Sequence, residues 1–276
     1  MQSSAVRWLA TFVGIVLGAS LLGACGRPPM TVSPTVTLDA TTKLFLPFIT
    51  AINPNTTVIF KNADAATHTL KTVPNADPTT VGGFLNPGTI TQSLNSGQQI
   101  GITFTTPGLY DLYDDTQATI DPTYHRVKAN NGTVGFPYAP EAVVWVRGNP
   151  PGKVAPDTKN SVIAGVDGFQ YQFTALQYHG TLTLHNYDTD KHYASDPGTF
   201  EGVNPTAIGN SVNVILGTDD APPDGGDTPL TFYVPGLYYY YCTAHANFNT
   251  QLQRAIPHKD ASLYPIVMES FVLVVQ

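Results

Sequence analysis

Apolar positions along this chain recur at every second residue or gather in runs of four or five. Thr57–Lys61, Ile100–Thr105, Leu182–His185 and Leu230–Val234 alternate or run with β-branched and aromatic residues, the pattern of short strands with one or both faces buried. Pro-Gly and Asn-Gly pairs such as Pro107-Gly108, Asn131-Gly132 and Pro235-Gly236 punctuate them as turns. After residue 30 no segment carries the 3.6-residue period of a long amphipathic helix. Short strands at regular spacing with Gly and Pro turns predict an all-β chain built as an antiparallel sandwich with Greek-key connections.

Composition narrows the class further. Of 276 residues, 42% are hydrophobic, enough to bury a core, which excludes a disordered chain. Only 12% are charged and the formal net charge is −7 with no basic run. Nucleic acid is thereby excluded as a partner, because phosphate neutralisation needs clustered Lys and Arg.

The first 24 residues read as an export signal. Arg7 is their only charge, and Trp8–Ala24 is apolar or small, a basic start followed by a stretch somewhat short for a membrane span. Leu22-Gly23-Ala24-Cys25 resembles the lipobox of bacterial lipoproteins. That resemblance implies cleavage before Cys25 and acylation of its thiol, with several acyl chains giving stable anchoring. The expected location is the outer face of the cell membrane or the periplasm. Residues 25–43, rich in Pro, Ser and Thr, are read as an extended tether.

The remainder repeats itself. Val58–His68 (VIFKNADAATH) matches Leu182–His192 (LTLHNYDTDKH), so that Asn62, Asp64 and His68 recur 124 residues later as Asn186, Asp188 and His192. Phe104–Ala118 (FTTPGLYDLYDDTQA) matches Phe232–Ala246 (FYVPGLYYYYCTAHA) at an offset of 128, and Arg126 matches Arg254. Each copy closes on an apolar run, Val143–Val146 and Val272–Val275. Two domains are expected, 35–148 and 159–276, with a linker over 149–158 that contains Asn149-Pro150-Pro151-Gly152.

The chemistry concentrates in the second copy. Cys242 is the only cysteine besides Cys25, and a lone thiol in an exported chain needs protection. His245 follows at Cys-x-x-His spacing, close enough for one loop to bring both to one ion, and His192 is the natural second imidazole. A thiolate with two imidazoles in a near-trigonal set favours copper. Phe232-x-x-Pro235-Gly236-x-Tyr238-x-Tyr240-x-Cys242-x-x-His245 resembles the C-terminal copper loop of cupredoxins, the plastocyanin-like blue copper proteins, and Asn186-x-Asp188-x-x-x-His192 is similar to the segment carrying their first His ligand. The resemblance implies two tandem cupredoxin-like Greek-key β-sandwich or barrel domains. It also implies one mononuclear type 1 copper ion on His192, Cys242 and His245, with Asn186 bracing the ligand loops.

Departures from the family pattern shape the remaining expectations. Where the family has an axial Met soon after the loop His, this chain has Phe248, no Met before Met268, and Gln251 as a side-chain oxygen donor. A three-coordinate or a Gln251-ligated site is expected. In the first copy Asp114 stands in place of Cys242 and Gln117 in place of His245, so that only His68 remains and no blue copper site forms. A hard-cation site on Asp111, Asp114, Asp115, Asp121 and His68 is the alternative there, against a structural or docking role. His125, His179, His185 and His258 lack ligand spacing. One face of the strand Tyr238–Tyr241 is a candidate for coupling to a partner. The expected function is single-electron transfer between a redox protein donor and acceptor, with copper delivery as the alternative. An oxidase or nitrite reductase is disfavoured, since no His-x-His pair occurs.

Overall fold

The structure, a computed structural model, describes residues 33–74, 83–198, 213–216 and 226–276. The export segment, Cys25 and the start of the tether lie outside them. Among the described residues every regular element is a strand, and no helix is long and apolar enough to cross a membrane.

The first half contains β1 (Thr35–Leu38), β2 (Phe45–Leu46), β3 (Ile49–Ile52), β4 (Thr56–Asn62), β5 (His68–Thr72), β6 (Thr91–Leu94), β7 (Gln99–Phe104), β8 (Gly108–Asp114), β9 (Ala118–Ile120), β10 (Val127–Ala129) and β11 (Glu141–Val146). The second contains β12 (Thr158–Val162), β13 (Phe173–Gln177), β14 (Thr181–Asn186), β15 (His192–Ser195), β16 (Asn213–Leu216), β17 (Thr228–Thr231), β18 (Gly236–Tyr241), β19 (Ala246–Asn249), β20 (Arg254–Pro257) and β21 (Glu269–Val275). Residues 35–38, where the expected tether and first domain overlap, are the first strand. Their Thr-Val-Thr-Leu alternation buries Val36 and Leu38 completely.

The halves correspond strand for strand except for β2, which only the first half has. In the first, β2-β1-β4-β7 faces β3-β11-β8-β5-β6; in the second, β12-β14-β17 faces β13-β21-β18-β15-β16. The sheets are mixed, which corrects the expectation of purely antiparallel pairing. β1 runs parallel to β4 and β3 to β11, as β12 does to β14 and β13 to β21. In each half the chain starts on one sheet and passes to the other by way of β3 or β13, so the strands at its entry meet their neighbours in the same direction.

Three apolar layers result. Val36, Phe60, Phe104 and Leu112 fill the first sandwich, and Leu184, Phe232, Tyr240 and Val272 the second. A third layer, with Phe48, Leu109, Trp145, Phe173, Tyr239 and Phe271, joins the two five-stranded sheets across the halves. Ser33–Gln276 thus form one compact unit. The linker residue Val154 is buried in this third layer. Alternation along β18 sends Tyr238 and Tyr240 into the second sandwich and Tyr239 into the layer between the halves, where it packs beside Phe271 of the neighbouring β21 with centroids 4.9 Å apart. Neither face of β18 is an open surface, contrary to the partner-coupling expectation; the first half covers the face that the sequence left free.

Polar groups cross this interface in a reciprocal pair. Arg126 donates to Phe169 O, to Val267 O at 3.2 Å and to Glu269 O at 3.0 Å, all in the second half. Arg254 donates to Ala139 O at 2.7 Å in the first half, lies 3.7 Å from Glu141, and stacks over Phe48 at 4.2 Å. Both guanidiniums are almost fully buried. Between them sit Asp111, Glu141 and Glu269, with Tyr239 Oη–H donating to Glu269 at 2.5 Å. Burial first, and then the neighbouring Glu141 charge, push the Asp111 carboxyl well up and that of Glu269 to about 7.

A carboxyl whose folded pKa is raised adds stability that is complete below its unfolded value and is lost as pH rises through the folded one. The protein is therefore expected to lose stability between about pH 5 and 8, by roughly 2–3 kcal/mol from Glu269 alone. Glu269→Gln should flatten that dependence in urea melts across this range; a variant with the wild-type slope would contradict it. Arg126→Met, which strands three buried carbonyls, should cost about 3–5 kcal/mol in the same melts.

Candidate metal centre

Cys242 is placed by the end of β18, whose alternation turns its side chain into the second sandwich. Its amide donates to Met268 O at 3.0 Å, so the ladder with β21 extends to this residue. The chain then turns tightly, with His245 N–H and Ala246 N–H both donating to Cys242 O at 3.2 and 2.9 Å. This turn brings His245 Nδ1 to 3.5 Å from Cys242 Sγ. His192 opens β15, and its Nδ1 lies 3.8 Å from the same sulfur. Tyr193 N–H donates to Sγ at 3.3 Å. The two rings lie 4.8 Å apart, centroid to centroid.

Donor atoms of His192, Cys242 and His245 all fall within 4.8 Å of one another. The sulfur and His192 are fully buried, while 17% of the His245 side chain is accessible. Burial pushes the Cys242 thiol up and the His192 imidazole down, so both favour their neutral forms. A metal must therefore displace the thiol proton, and it finds one imidazole already deprotonated. One soft sulfur and two imidazoles, converging from two strands and one tight turn, suit a soft or borderline transition ion.

The far nitrogen of each ring is tied to a carboxylate. His192 Nε2 is 3.1 Å from Asp188 Oδ2, and His245 Nε2 is 3.2 Å from Asp167 Oδ1. For His192 the tautomer that donates from Nε2 to Asp188 leaves the Nδ1 lone pair toward the sulfur, and His245 Nε2 lies within ion-pair distance of Asp167. Asp188 was visible in sequence only as part of the repeated Asn-x-Asp motif, and Asp167 carried no signal, since it lies in a loop with no motif of its own. Asn186 holds the turn before His192: it donates to Asp190 O at 2.8 Å and Leu216 O at 3.0 Å, and accepts from Asp188 N–H at 2.9 Å.

Two expected site residues lie elsewhere. Gln251 is exposed in the turn of the β19–β20 hairpin. Four strand residues at ~3.3 Å each separate it from His245. Phe248 packs on Tyr241 and Tyr239, with centroids 5.9 and 6.3 Å away, at the layer between the halves rather than beside the sulfur. Met268 is the residue the sequence reading set aside. It is the cross-strand partner of Cys242 and buries its thioether in the same cluster. The available signal was its place directly before β21, the strand that pairs with the cysteine strand.

The first half repeats the scaffold with different chemistry. Asn62 donates to Ala66 O and Leu94 O and accepts from Asp64 N–H, as Asn186 does with its own partners. His68 Nε2 faces Asp64 at 2.9 Å, but its Nδ1 meets Asp114 Oδ2 at 2.6 Å, and Gln117 donates to the same carboxylate at 3.1 Å. Direct hydrogen bonds fill the place where the second half gathers a sulfur and two rings. The alternative cation site is not assembled: Asp111 turns to the interface, Asp115 pairs with Lys71, and Asp121 accepts from Thr123 and Tyr124 N–H in its own turn. Among the described residues, the groupings fit to hold a metal all lie in the second half.

No protein-family model and no curated protein matches the sequence. Solved structures give remote likenesses. The Cu(I) form of an amicyanin with one methionine replaced by alanine is 17% identical, over 42% of this chain and 82% of that one, with a TM-score of 0.28. A second methionine-to-alanine mutant of amicyanin, also in its Cu(I) form, gives the same values. A purple cupredoxin from Nitrosopumilus maritimus is 18% identical over 41% of this chain and 99% of that one, with a TM-score of 0.26.

Asn186→Ala would leave two buried carbonyls and an amide unpartnered. It should destabilise the protein by about 2–4 kcal/mol and weaken metal uptake, measured by denaturant melts and metal titration.

Proposed function

We propose that this chain is an exported, membrane-tethered copper protein that carries single electrons through a type 1 copper site in its second half. On this reading it consists of two tandem cupredoxin-like domains, the first without copper ligands. The observation that carries the reading is the convergence of His192 Nδ1, His245 Nδ1 and Cys242 Sγ, with each imidazole already oriented through its other nitrogen.

The ion would supply one-electron chemistry between Cu(II) and Cu(I). The chain supplies everything else. Strands β15 and β18 and the turn at 242–246 hold the donors in place, so that little rearrangement accompanies a change of charge. Met268, buried opposite Cys242, is the fourth donor of this reading in place of Gln251. The accessible edge of His245 is the point nearest solvent and the natural port for electrons. Burial of Cys242 and His192 argues against copper delivery, which depends on ligands that a receiving protein can reach. Cys25, outside the described residues, would carry the lipid anchor, and the donor and acceptor would be redox proteins at the same surface.

Cu(II) added to the purified protein should produce an intense thiolate-to-copper absorption in the visible range, and Cys242→Ser should abolish it. A colourless wild type would overturn the reading. Met268→Leu should keep the band and raise the reduction potential, while Gln251→Ala should change neither; the opposite pattern would return the axial position to Gln251. Cys25→Ala should release the protein from the membrane fraction into the soluble one, and an unmoved variant would contradict the anchor.

A further inference from the structure

Two carboxylates stand behind the imidazoles, and neither is paired with a lysine or arginine among the described residues. The ion pairs of Asp188 and Asp167 among the described residues are with His192 and His245 alone. Both carboxylates are held by backbone N–H donors and by an imidazole rather than by a fixed cation, which buried carboxylates usually recruit.

The first half shows what completion without a metal looks like. Asp64 occupies the place of Asp188, and there Lys43 closes an ion pair onto it. Lys43 sits five residues beyond Leu38, the partner of Asn62 in the β1–β4 ladder; Asp167 sits five residues beyond Val162, the partner of Asn186 in the β12–β14 ladder. The same loop position thus presents a cation in the half that lacks the sulfur and an anion in the half that has it.

The loop carrying Asp167 is built to keep that anion in place. Asp167 Oδ2 accepts from Ser262 N–H at 2.6 Å, and Asp167 N–H donates to Ser262 Oγ at 2.7 Å. A Cβ on the next residue, Gly168, would come within 2.4 Å of Leu263 Cδ1, so the loop packs closely on the 262–263 segment. Two residues earlier, Gly165 N–H donates to Asp188 Oδ1 at 3.0 Å, and Thr189 N–H donates to the same oxygen at 2.8 Å. One loop therefore links both carboxylates, whose oxygens lie within 4.8 Å of each other and of a His192 nitrogen.

We propose that Asp167 and Asp188 are a paired set of positioning residues that hold both imidazoles as Nε2–H tautomers and, as two fixed negative charges, favour the higher charge state of the bound ion. This rests on the copper reading given above. Carboxylates behind metal-bound imidazoles fix ring orientation and raise ligand basicity. Here they act on both rings at once, from two loops joined by the Gly165 N–H bond to Asp188. The consequence is a lower reduction potential than the three donors and Met268 would set by themselves.

The test uses Asp167→Asn and Asp188→Asn, which keep a hydrogen-bond acceptor in place and remove the charge. Both variants should retain the wild-type visible band. Each should shift the ratio of Cu(II) to Cu(I) affinity about tenfold toward Cu(I), read as a rise of ~59 mV in a one-electron redox titration. In the copper-free protein, ring-nitrogen NMR should show His192 and His245 as single Nε2–H tautomers, and Asp167→Ala should turn His245 into a mixture of tautomers while leaving His192 single. A wild type without the visible band sinks the copper reading itself, and this inference with it. A band retained in both Asn variants with an unmoved potential sinks this inference alone, and so does an unchanged His245 tautomer in Asp167→Ala.

Discussion

Burial of both faces of one strand is the constraint on which the rest depends. β18 sends Tyr238, Tyr240 and Cys242 into its own sandwich and Leu237 and Tyr239 into the layer shared with the first half. A strand covered on one side alone keeps rotameric and hinge freedom at its end. Here the tyrosines are locked between two layers, with Tyr239 bonded to Glu269 and Tyr240 accepting from Asn160. The cysteine that follows inherits that rigidity. The tight turn at 242–246 and the β19–β20 hairpin then fix His245 relative to the sulfur.

The first half is the natural control for this arrangement. It has the same sheet order, the same asparagine brace and a histidine in the same place. Its substitutions are mutually consistent: Asp114 for the thiol, Gln117 for the second imidazole, and a lysine for the carboxylate of the covering loop. Together they convert a cavity of donors into a closed network in which His68 lies between two carboxylates and Lys43 balances one of them. The half without a metal site thus differs at three linked positions rather than by deletion of one ligand, because each leftover polar group needs a new partner.

Much of this was legible in the chain. Alternation located β4, β7 and β14 to within a residue, since those strands pair across a clear inside and outside. The meeting of His192, Cys242 and His245 was legible because sulfur and imidazole carry their chemistry in their identity, and the repeat supplied the alignment. The parallel entry strands were not, because direction of pairing leaves no mark on a period-two pattern. Asp167 and Met268 were hidden for a related reason: each is brought to the site by pairing between distant strands and loops, through Ser262 and the β18–β21 ladder. Gln251 and Phe248 were read by sequence proximity to His245, yet a hairpin carries them away from it.

The interface between the halves also explains why a half without metal ligands is kept so closely joined to the other. Arg126 of the first half satisfies carbonyls on either side of Met268, at Val267 and Glu269, and a third at Phe169, at the base of the loop that carries Asp167. One buried guanidinium therefore pins both segments that converge on the sulfur from outside its own strand. Arg254 returns the contact through Ala139 O, so neither half can shift without breaking hydrogen bonds that water cannot replace. The positions of Met268 and of the Asp167 loop follow from the packing of the whole 33–276 unit as much as from their local sequence.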